Sequence, residues 1–358
     1  MKIMILANSS SGLYEFRKEL MAELLIENEI IVTTPDNGKC EDLEKMGCEL
    51  ILQPVDRRGT NPIRDIQLLY NYYKHVKKNN PDLVITYTIK PNIYGGVVCR
   101  LLEIPYAINI TGLGTAFQEN GLLTKLVIFL YKIACKESKV VFFENSANRS
   151  VFLDNNIVCE KQACLLNGAG VNLKHFSYAD YPEDGTIEFL FMGRVMAEKG
   201  IDELFNAMKM LVDEGIDTRL HVLGNYEEDY EDCIECYEHE GWLCYHGYQD
   251  DVKPFIHATH CFVLPSWHEG MANTNLECAA SGRPIITSDI PGCKEAVIEG
   301  VSGYLVESKN ARDLFCVMKK FIQLSYEEKR VMGIKARRHM EAMFDKNKVV
   351  EETIKRMI

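Results

Sequence analysis

Short apolar runs recur along the chain with helical patterns between them. Residues 2–7, 30–34 and 48–53 have the length and composition of buried strands. After a polar loop at 8–12, a helical pattern turns Tyr14, Phe16, Leu20, Leu24 and Leu25 to one side. Asn61 and Pro62 carry helix-start signals, and a long helix follows to about residue 78. The segment 81–95 reads as strand, loop and next helix, with Lys90 and Asn92 in the loop. Strands follow at 107–111 and 140–143, separated by a helix over 122–139 that is apolar on one side (Leu126, Phe129, Leu130, Ile133). A second series opens with a strand at 187–192 and a helix from 201 that turns Leu204, Ala207, Met208 and Leu211 inward. Strands at 219–223, 261–264 and 284–288 continue it, and helices run from about 311 to 358. This β-α-β alternation predicts an α/β protein built on doubly wound parallel sheets.

A length of 358 residues suits two domains, and 47% hydrophobic residues can fill two cores. The glycine-rich start of 165–176 and the polar stretch 177–185 mark the boundary. The expected domains are therefore 1–172 and 173–342, followed by a terminal helix 343–358. A formal net charge of -12 argues against a nucleic-acid binder. The opening residues are too short for a signal peptide and read as a strand. No run approaches the ~20 apolar residues of a spanning helix. Thirteen cysteines, mostly in apolar runs, suit a reducing compartment. A cytoplasmic location is expected. No G-x-G-x-x-G follows the first strand, which counts against a nicotinamide enzyme.

The candidate chemistry is concentrated in Ser266-Trp-His-Glu-Gly-Met-Ala-Asn-Thr-Asn-Leu-Glu277. Glu269 sits in the loop at a strand's carboxyl end, and Glu277 one turn into the next helix. Ligands of open parallel sheets bind at such ends. The helix start offers unpaired N–H groups, here around Met271, Ala272, Asn273 and Thr274, and the positive end of its dipole. Gly270 lets a ligand approach the backbone. N–H groups suit a phosphate and carboxylates suit hydroxyls, which together describe a nucleotide sugar. The plainer alternative is a strand–loop–helix unit whose glutamates face water.

Glu269-x7-Glu277, followed by Ala280-Ser-Gly-Arg-Pro-Ile-Ile-Thr-Ser-Asp-Ile-Pro-Gly-Cys-Lys-Glu295, resembles the signature of family 4 retaining glycosyltransferases. Within that family it is similar to the branch that builds bacterial capsule, exopolysaccharide and O-antigen repeats. Gly193-Arg194-Val-Met-Ala-Glu-Lys199-Gly200 matches the family's donor-phosphate element, and Arg grips phosphate oxygens bidentately. The resemblance implies the GT-B fold, two Rossmann-like domains facing across a cleft, with the last helix crossing back to the first domain. It implies transfer of a sugar from a UDP-sugar to a lipid-diphosphate-linked saccharide, with retention. Arg194, Lys199 and Glu269 are the implied catalytic residues. Glu277, the segment from Gly270 to Thr274, Gly193, Tyr248 and Gly12 are the implied donor contacts. Tyr248 has two readings, base stacking or packing. Lys90, Asn92, Thr111 and Gly112 are the implied cleft and acceptor residues. Many members carry a histidine where Thr111 stands, so hydroxyl and backbone groups are left to touch the sugar. No Asp-x-Asp occurs, which predicts a site that works without a metal or other cofactor.

Two rivals share the fold. A UDP-sugar 2-epimerase needs an acid and a base, and no convincing pair stands out. A non-catalytic partner subunit should have lost the phosphate cations, yet Arg194 and Lys199 are present. Cys233, Cys236, His239, Cys244 and His246 resemble a zinc cluster in composition, but no second tight pair stands at finger spacing, so zinc is not expected. Lys125, Lys132, Lys136 and Lys139 accompany the 122–139 helix. With Arg57, Arg58 and Arg64 they make either a basic, greasy surface against the inner face of the cytoplasmic membrane or an ordinary core helix with lysines in water.

Overall fold

The structure, a computed structural model, describes residues 1–56, 59, 61–114, 117 and 121–358. Arg57 and Arg58 of the expected basic surface, and Thr115 and Ala116 of the loop after residue 111, lie outside the described residues. The chain forms two compact units, Met1–Ala169 with Asn347–Ile358, and Gly170–Lys346.

The first unit is built on parallel strands β1 (Lys2–Leu6), β2 (Glu29–Thr34), β3 (Glu49–Leu52), β4 (Leu83–Tyr87), β5 (Tyr106–Ile110), β6 (Val140–Phe143) and β7 (Ala163–Leu165). Their spatial order is β3-β2-β1-β4-β5-β6-β7. Alternation along each strand fills both faces. Ile3 and Ile5 enter a core with Leu13, Leu20, Met21 and Leu24 of helix α1 (Ser10–Leu25). Met4 and Leu6 enter another with Leu68, Tyr72 and Val76 of α3 (Pro62–Asn79) and Val127, Tyr131 and Cys135 of α5 (Leu122–Cys135). Val349, Val350 and Met357 of the last helix, Lys346–Met357, are buried in the α1 core.

The second unit has parallel strands β8 (Ile187–Met192), β9 (Thr218–Leu223), β10 (Leu243–Gly247), β11 (Cys261–Leu264), β12 (Ile285–Ser288) and β13 (Gly303–Val306). Their order is β10-β9-β8-β11-β12-β13. Each unit is thus an open, doubly wound parallel sheet, and each reverses its strand order once: β1 beside β4, and β8 beside β11.

Several local expectations are corrected. Phe16 is exposed, because the inner face of α1 is centred on Leu13, Arg17 and Leu24, with Arg17 held by an ion pair to Glu144. The 122–139 helix stops at Cys135, and Leu126 and Phe129 point away from the core. The segment carrying Lys90 and Asn92 is helical and runs on through Pro91–Gly95 into α4 (Gly96–Leu101). Strand β7 is only three residues long, and β13 opens on Gly303, so neither shows as an apolar run in the sequence.

Candidate functional site

The reversal between β8 and β11 brings the two expected loops side by side. Chain leaving β8 passes Gly193 and Arg194, makes a tight turn at Ala197–Lys199, and enters α7 (Ile201–Asp213) through Gly200. Gly200 has φ +74, and a Cβ there would lie 2.1 Å from the Pro265 carbonyl oxygen at the end of β11. Only glycine allows that approach. Trp267 N–H donates to the Glu198 carbonyl at 2.9 Å, tying the second loop to the first. Its indole N–H donates to Glu203 on α7 at 3.2 Å. Neither Trp267 nor Glu203 stood out in the sequence, since their role is to hold one loop against another.

Within this frame Lys199 Nζ lies 2.5 Å from Glu269 Oε1, and the buried Ser266 hydroxyl donates to the same oxygen at 2.9 Å. Arg194, about half exposed, pairs with Glu227 at 3.2 Å. The two cations therefore rest on separate carboxylates, both reachable from the strand ends.

The backbone of Glu269 and Gly270 is supported from below by Gly292, whose φ is +87. A Cβ on Gly292 would fall 2.6 Å from the Glu269 carbonyl oxygen. Ala272 N–H donates to the Gly292 carbonyl at 2.7 Å. Helix α10 (Asn273–Ala280) then starts at Ala272 with no side-chain cap. The side-chain oxygen of Asn273, in the first turn, is buried without a partner. Asn275, Leu276, Cys278, Ala279 and Ala280 face the core. Asn273, Thr274 and Glu277 share the half-buried side, so the helix start and the second glutamate lie on one face. Met271 and Ala272 have buried side chains, and the Ala272 N–H, expected to be unpaired, is spent on Gly292 and is not available to a ligand. Tyr248, after β10, is 60% exposed, so it is not packing in the core.

The first-unit candidates divide. Gly12 sits in the first turn of α1, with its N–H taken by the Ser9 hydroxyl at 3.0 Å. Ser10 N–H and hydroxyl both donate to the Asn37 side-chain oxygen, at 2.8 and 2.7 Å. Lys90 pairs with Asp65 at 2.7 Å. Asn92 is buried, accepting from the Thr86 hydroxyl at 2.7 Å and donating to the Asn109 carbonyl at 2.8 Å. Both spend their polar atoms inside the fold. Thr111 and Gly112 follow β5 at its carboxyl end, and Thr111 is half-buried. The cysteines near residue 236 do not converge: His246 bonds His221 at 2.9 Å instead, and among the described residues no group of three or more His, Cys, Asp or Glu side chains is arranged to hold a metal ion.

A family model described as glycosyl transferases group 1 matches residues 179–339, and one described as glycosyl transferase 4-like matches residues 2–145. Together they take in most of the chain. The chain is a family 4 glycosyltransferase. As expected from its signature, the transferase is similar to bacterial glycosyltransferases, a capsular polysaccharide biosynthesis glycosyltransferase of Staphylococcus aureus among them, 27% identical over 61% of this chain and 54% of that one. It is 26% identical to the N,N'-diacetylbacillosaminyl-diphospho-undecaprenol alpha-1,3-N-acetylgalactosaminyltransferase of Campylobacter jejuni, over 99% of this chain and 98% of that one. It is 25% identical to the UDP-Gal:alpha-D-GlcNAc-diphosphoundecaprenol alpha-1,3-galactosyltransferase of Escherichia coli, over 76% and 74% of the two chains. These relatives favour neither the epimerase nor the non-catalytic subunit. The fold matches that of Anabaena HepE in complex with UDP and glucose, with a TM-score of 0.80 at 14% identity over 99% and 98% of the chains. A Rickettsia africae glycosyltransferase matches with a TM-score of 0.82 at 17% identity, over 99% and 97%. The GT-B fold expected from the signature is thereby borne out. No described helix of the transferase is long and apolar enough to cross a membrane.

Proposed function

We propose that the transferase moves a hexose-type sugar, with retention, from a UDP-sugar to a lipid-diphosphate-linked saccharide in bacterial surface-polysaccharide synthesis. The observation that carries this is the pairing at the β8/β11 reversal: a cation-bearing loop from one strand and a carboxylate-bearing loop from its neighbour, beside an uncapped helix start. Arg194, Lys199 and the first N–H groups of α10 receive the donor diphosphate. Gly193 and Gly270 keep the backbone accessible beside it. Glu277 accepts from ribose hydroxyls, Tyr248 stacks on the base, and Glu269 accepts from hydroxyls of the donor sugar.

In the reaction the bond from the anomeric carbon to the UDP oxygen breaks, and the acceptor hydroxyl oxygen bonds to that carbon on the same face. The acceptor's proton passes to the departing phosphate oxygen, so no separate base is needed. Negative charge grows on the diphosphate, and each fixed donor aimed at it is worth ~3 kcal/mol. Two cations and a helix start supply that charge, which supports a metal-independent transfer. Acceptor contacts fall to Thr111 and Gly112, because Lys90 and Asn92 are occupied. A lipid-linked acceptor places the enzyme at the inner face of the cytoplasmic membrane. Incubation with a panel of UDP-sugars and a prenyl-diphosphate saccharide, read by mass spectrometry, tests the reading. It expects a product heavier by one sugar and equimolar UDP. Interconversion of the UDP-sugar without acceptor would establish the epimerase instead.

A further inference from the structure

We infer that His221 and His246 are positioning residues for the nucleotide: the hydrogen bond between their rings holds the end of β10 in place, and charging both rings releases it. Strand β10 is an edge strand whose ladder partner is β9. Its register against β9 shifts between Tyr245 and Gly247, so His246 is the extra residue of a bulge. Bulges re-aim a side chain and often adjoin functional sites. Here the ring of His246 is aimed at β9. Its Nε2 lies 2.9 Å from His221 Nδ1, and the two rings stack at 14° with centroids 5.2 Å apart. His221 Nε2 in turn lies 2.7 Å from Glu188 Oε2 on β8. A polar chain therefore crosses three strands, from Glu188 through His221 to His246. The Gly247 carbonyl accepts the Gly224 N–H at 2.8 Å, and Gly247 turns the chain with φ +64. The Gln249 side chain donates to the His246 carbonyl at 2.6 Å. Between these two anchors stands Tyr248, the residue proposed to stack on the base. The bulge and its ring contact thus set the direction in which Tyr248 leaves the sheet.

The bond needs one proton between two facing nitrogens. Glu188 accepts the Nε2–H of His221, which leaves Nδ1 as acceptor and His246 Nε2 as donor while both rings are neutral. One added proton is tolerated, because a single imidazolium still leaves one lone pair between the rings. A second sets N–H against N–H at that distance, and two like charges repel. The surroundings decide when this happens. Arg219 on β9 lies 3.6 Å from Glu188 Oε1 and shares that carboxylate. Cys244 stands beside His221 in the register. Glu238 on α8 (Glu231–His239) accepts the Tyr245 N–H at 2.8 Å and favours the charged form of His246. Helix α9 (Lys253–Ala258) packs Phe255 on the His246 ring at 4.7 Å and carries Lys253, paired with Asp251, and His257. Burial and the neighbouring His221 outweigh Glu238 and push the His246 pKa below its ordinary 6.5. The bond is therefore intact at neutral pH and is lost only as the pH falls below 6.5.

This inference rests on the reading that Tyr248 stacks on the base, and its test separates the two. Calorimetry measures UDP affinity from pH 7.5 to 5 for wild type and for His221→Phe, which keeps a stacked ring and removes the bond. Arg219 still neutralises Glu188 in that variant. The ratio of the two affinities cancels the proton that UDP itself takes up. It should be about three- to ten-fold at pH 7.5, the worth of one hydrogen bond, and fall toward one as the pH drops. His246→Phe should behave as His221→Phe does. A ratio that stays constant with pH, or equals one throughout, would overturn the inference. Should both variants fail to fold, nitrogen NMR of the wild-type rings decides. Two separated titration steps are expected, the second below pH 6.5; two independent steps with a common midpoint would overturn it. Tyr248→Ala should weaken UDP by the same factor at every pH. If it changes nothing, the base lies elsewhere, and the pH dependence of the ratio alone judges the histidine pair.

Discussion

Lys199 Nζ and Glu269 Oε1 lie 2.5 Å apart, joining the loop after β8 to the loop after β11. Both side chains are more than four-fifths buried, so each depends on the other for neutralisation. Removing one partner of such a pair leaves an uncompensated charge. Lys199→Met should therefore lower both the melting temperature and the turnover number, the latter by ~100-fold on the scale of one lost transition-state donor. Adding Glu269→Gln should restore melting but not turnover. Thermal melts and steady-state kinetics on the two singles and the double complete the cycle. A double variant that regains turnover would remove Lys199 from the diphosphate.

Glu277 is separated from that pair by its place on α10. Its proposed partners, ribose hydroxyls, do not change during reaction, and such contacts affect binding rather than the chemical step. Hydrogen bonds to a charged acceptor are worth ~1.5–3 kcal/mol. Glu277→Gln should weaken UDP and UDP-sugar alike by about ten-fold or more. Glu269→Gln should leave UDP affinity near wild type and lower turnover. Calorimetry with UDP distinguishes the two, and the reverse pattern would exchange the roles.

Activity should survive excess EDTA, because the proposed diphosphate site uses Arg194, Lys199 and a helix start in place of a cation. Loss of activity that magnesium or manganese restores would contradict that chemistry.

Arg283, 1% exposed, is a stability determinant. Its guanidinium donates to the carbonyls of Ile256 (2.8 Å), Asp180 (2.9 Å), His257 (3.1 Å), and Ala179 and Gly282 (both 3.3 Å). Burial pulls its pKa below the ordinary guanidinium value. Arg283→Met should cost ~3–5 kcal/mol, because buried carbonyls are left unpaired. Arg283→Lys should recover little, since an ammonium cannot reach so many acceptors in one plane. Urea unfolding measures both.

His260 predicts the acid limb of stability. Its Nδ1 accepts the Glu188 N–H at 3.1 Å and its Nε2 donates to the Glu183 carbonyl at 3.1 Å, an arrangement that holds the ring neutral. Burial pushes its pKa below the ordinary 6.5. Below pH 6.5 the unfolded chain therefore binds more protons than the folded one. Stability should be level above about 6.5 and fall as pH drops toward the lowered folded value. His260→Asn, whose side-chain oxygen replaces Nδ1 as acceptor, should flatten part of that slope in melting curves taken from pH 7.5 to 5.

Apolar runs alone placed β8 at residues 187–192 and β11 at 261–264, as observed, because buried parallel strands need unbroken apolar sequence on both faces. The same reasoning located Arg194, Lys199, Glu269 and Glu277 near strand ends and a helix start, since glycines and a change of period mark those places. It missed β7, which is only three residues long, and β13, whose four residues include Gly303 and so make no unbroken apolar run. It also put Lys90 and Asn92 in an open loop, whereas tertiary packing makes the segment helical and occupies both side chains. Which charges pair was a tertiary decision: Lys199 meets Glu269 across seventy residues only because β8 and β11 are neighbours where the strand order reverses. The outward turn of Leu126 and Phe129 was likewise settled in three dimensions. A 3.6-residue period shows that a helix has an apolar stripe. Where a helix has two, as α5 does, only packing against the sheet decides which one is buried.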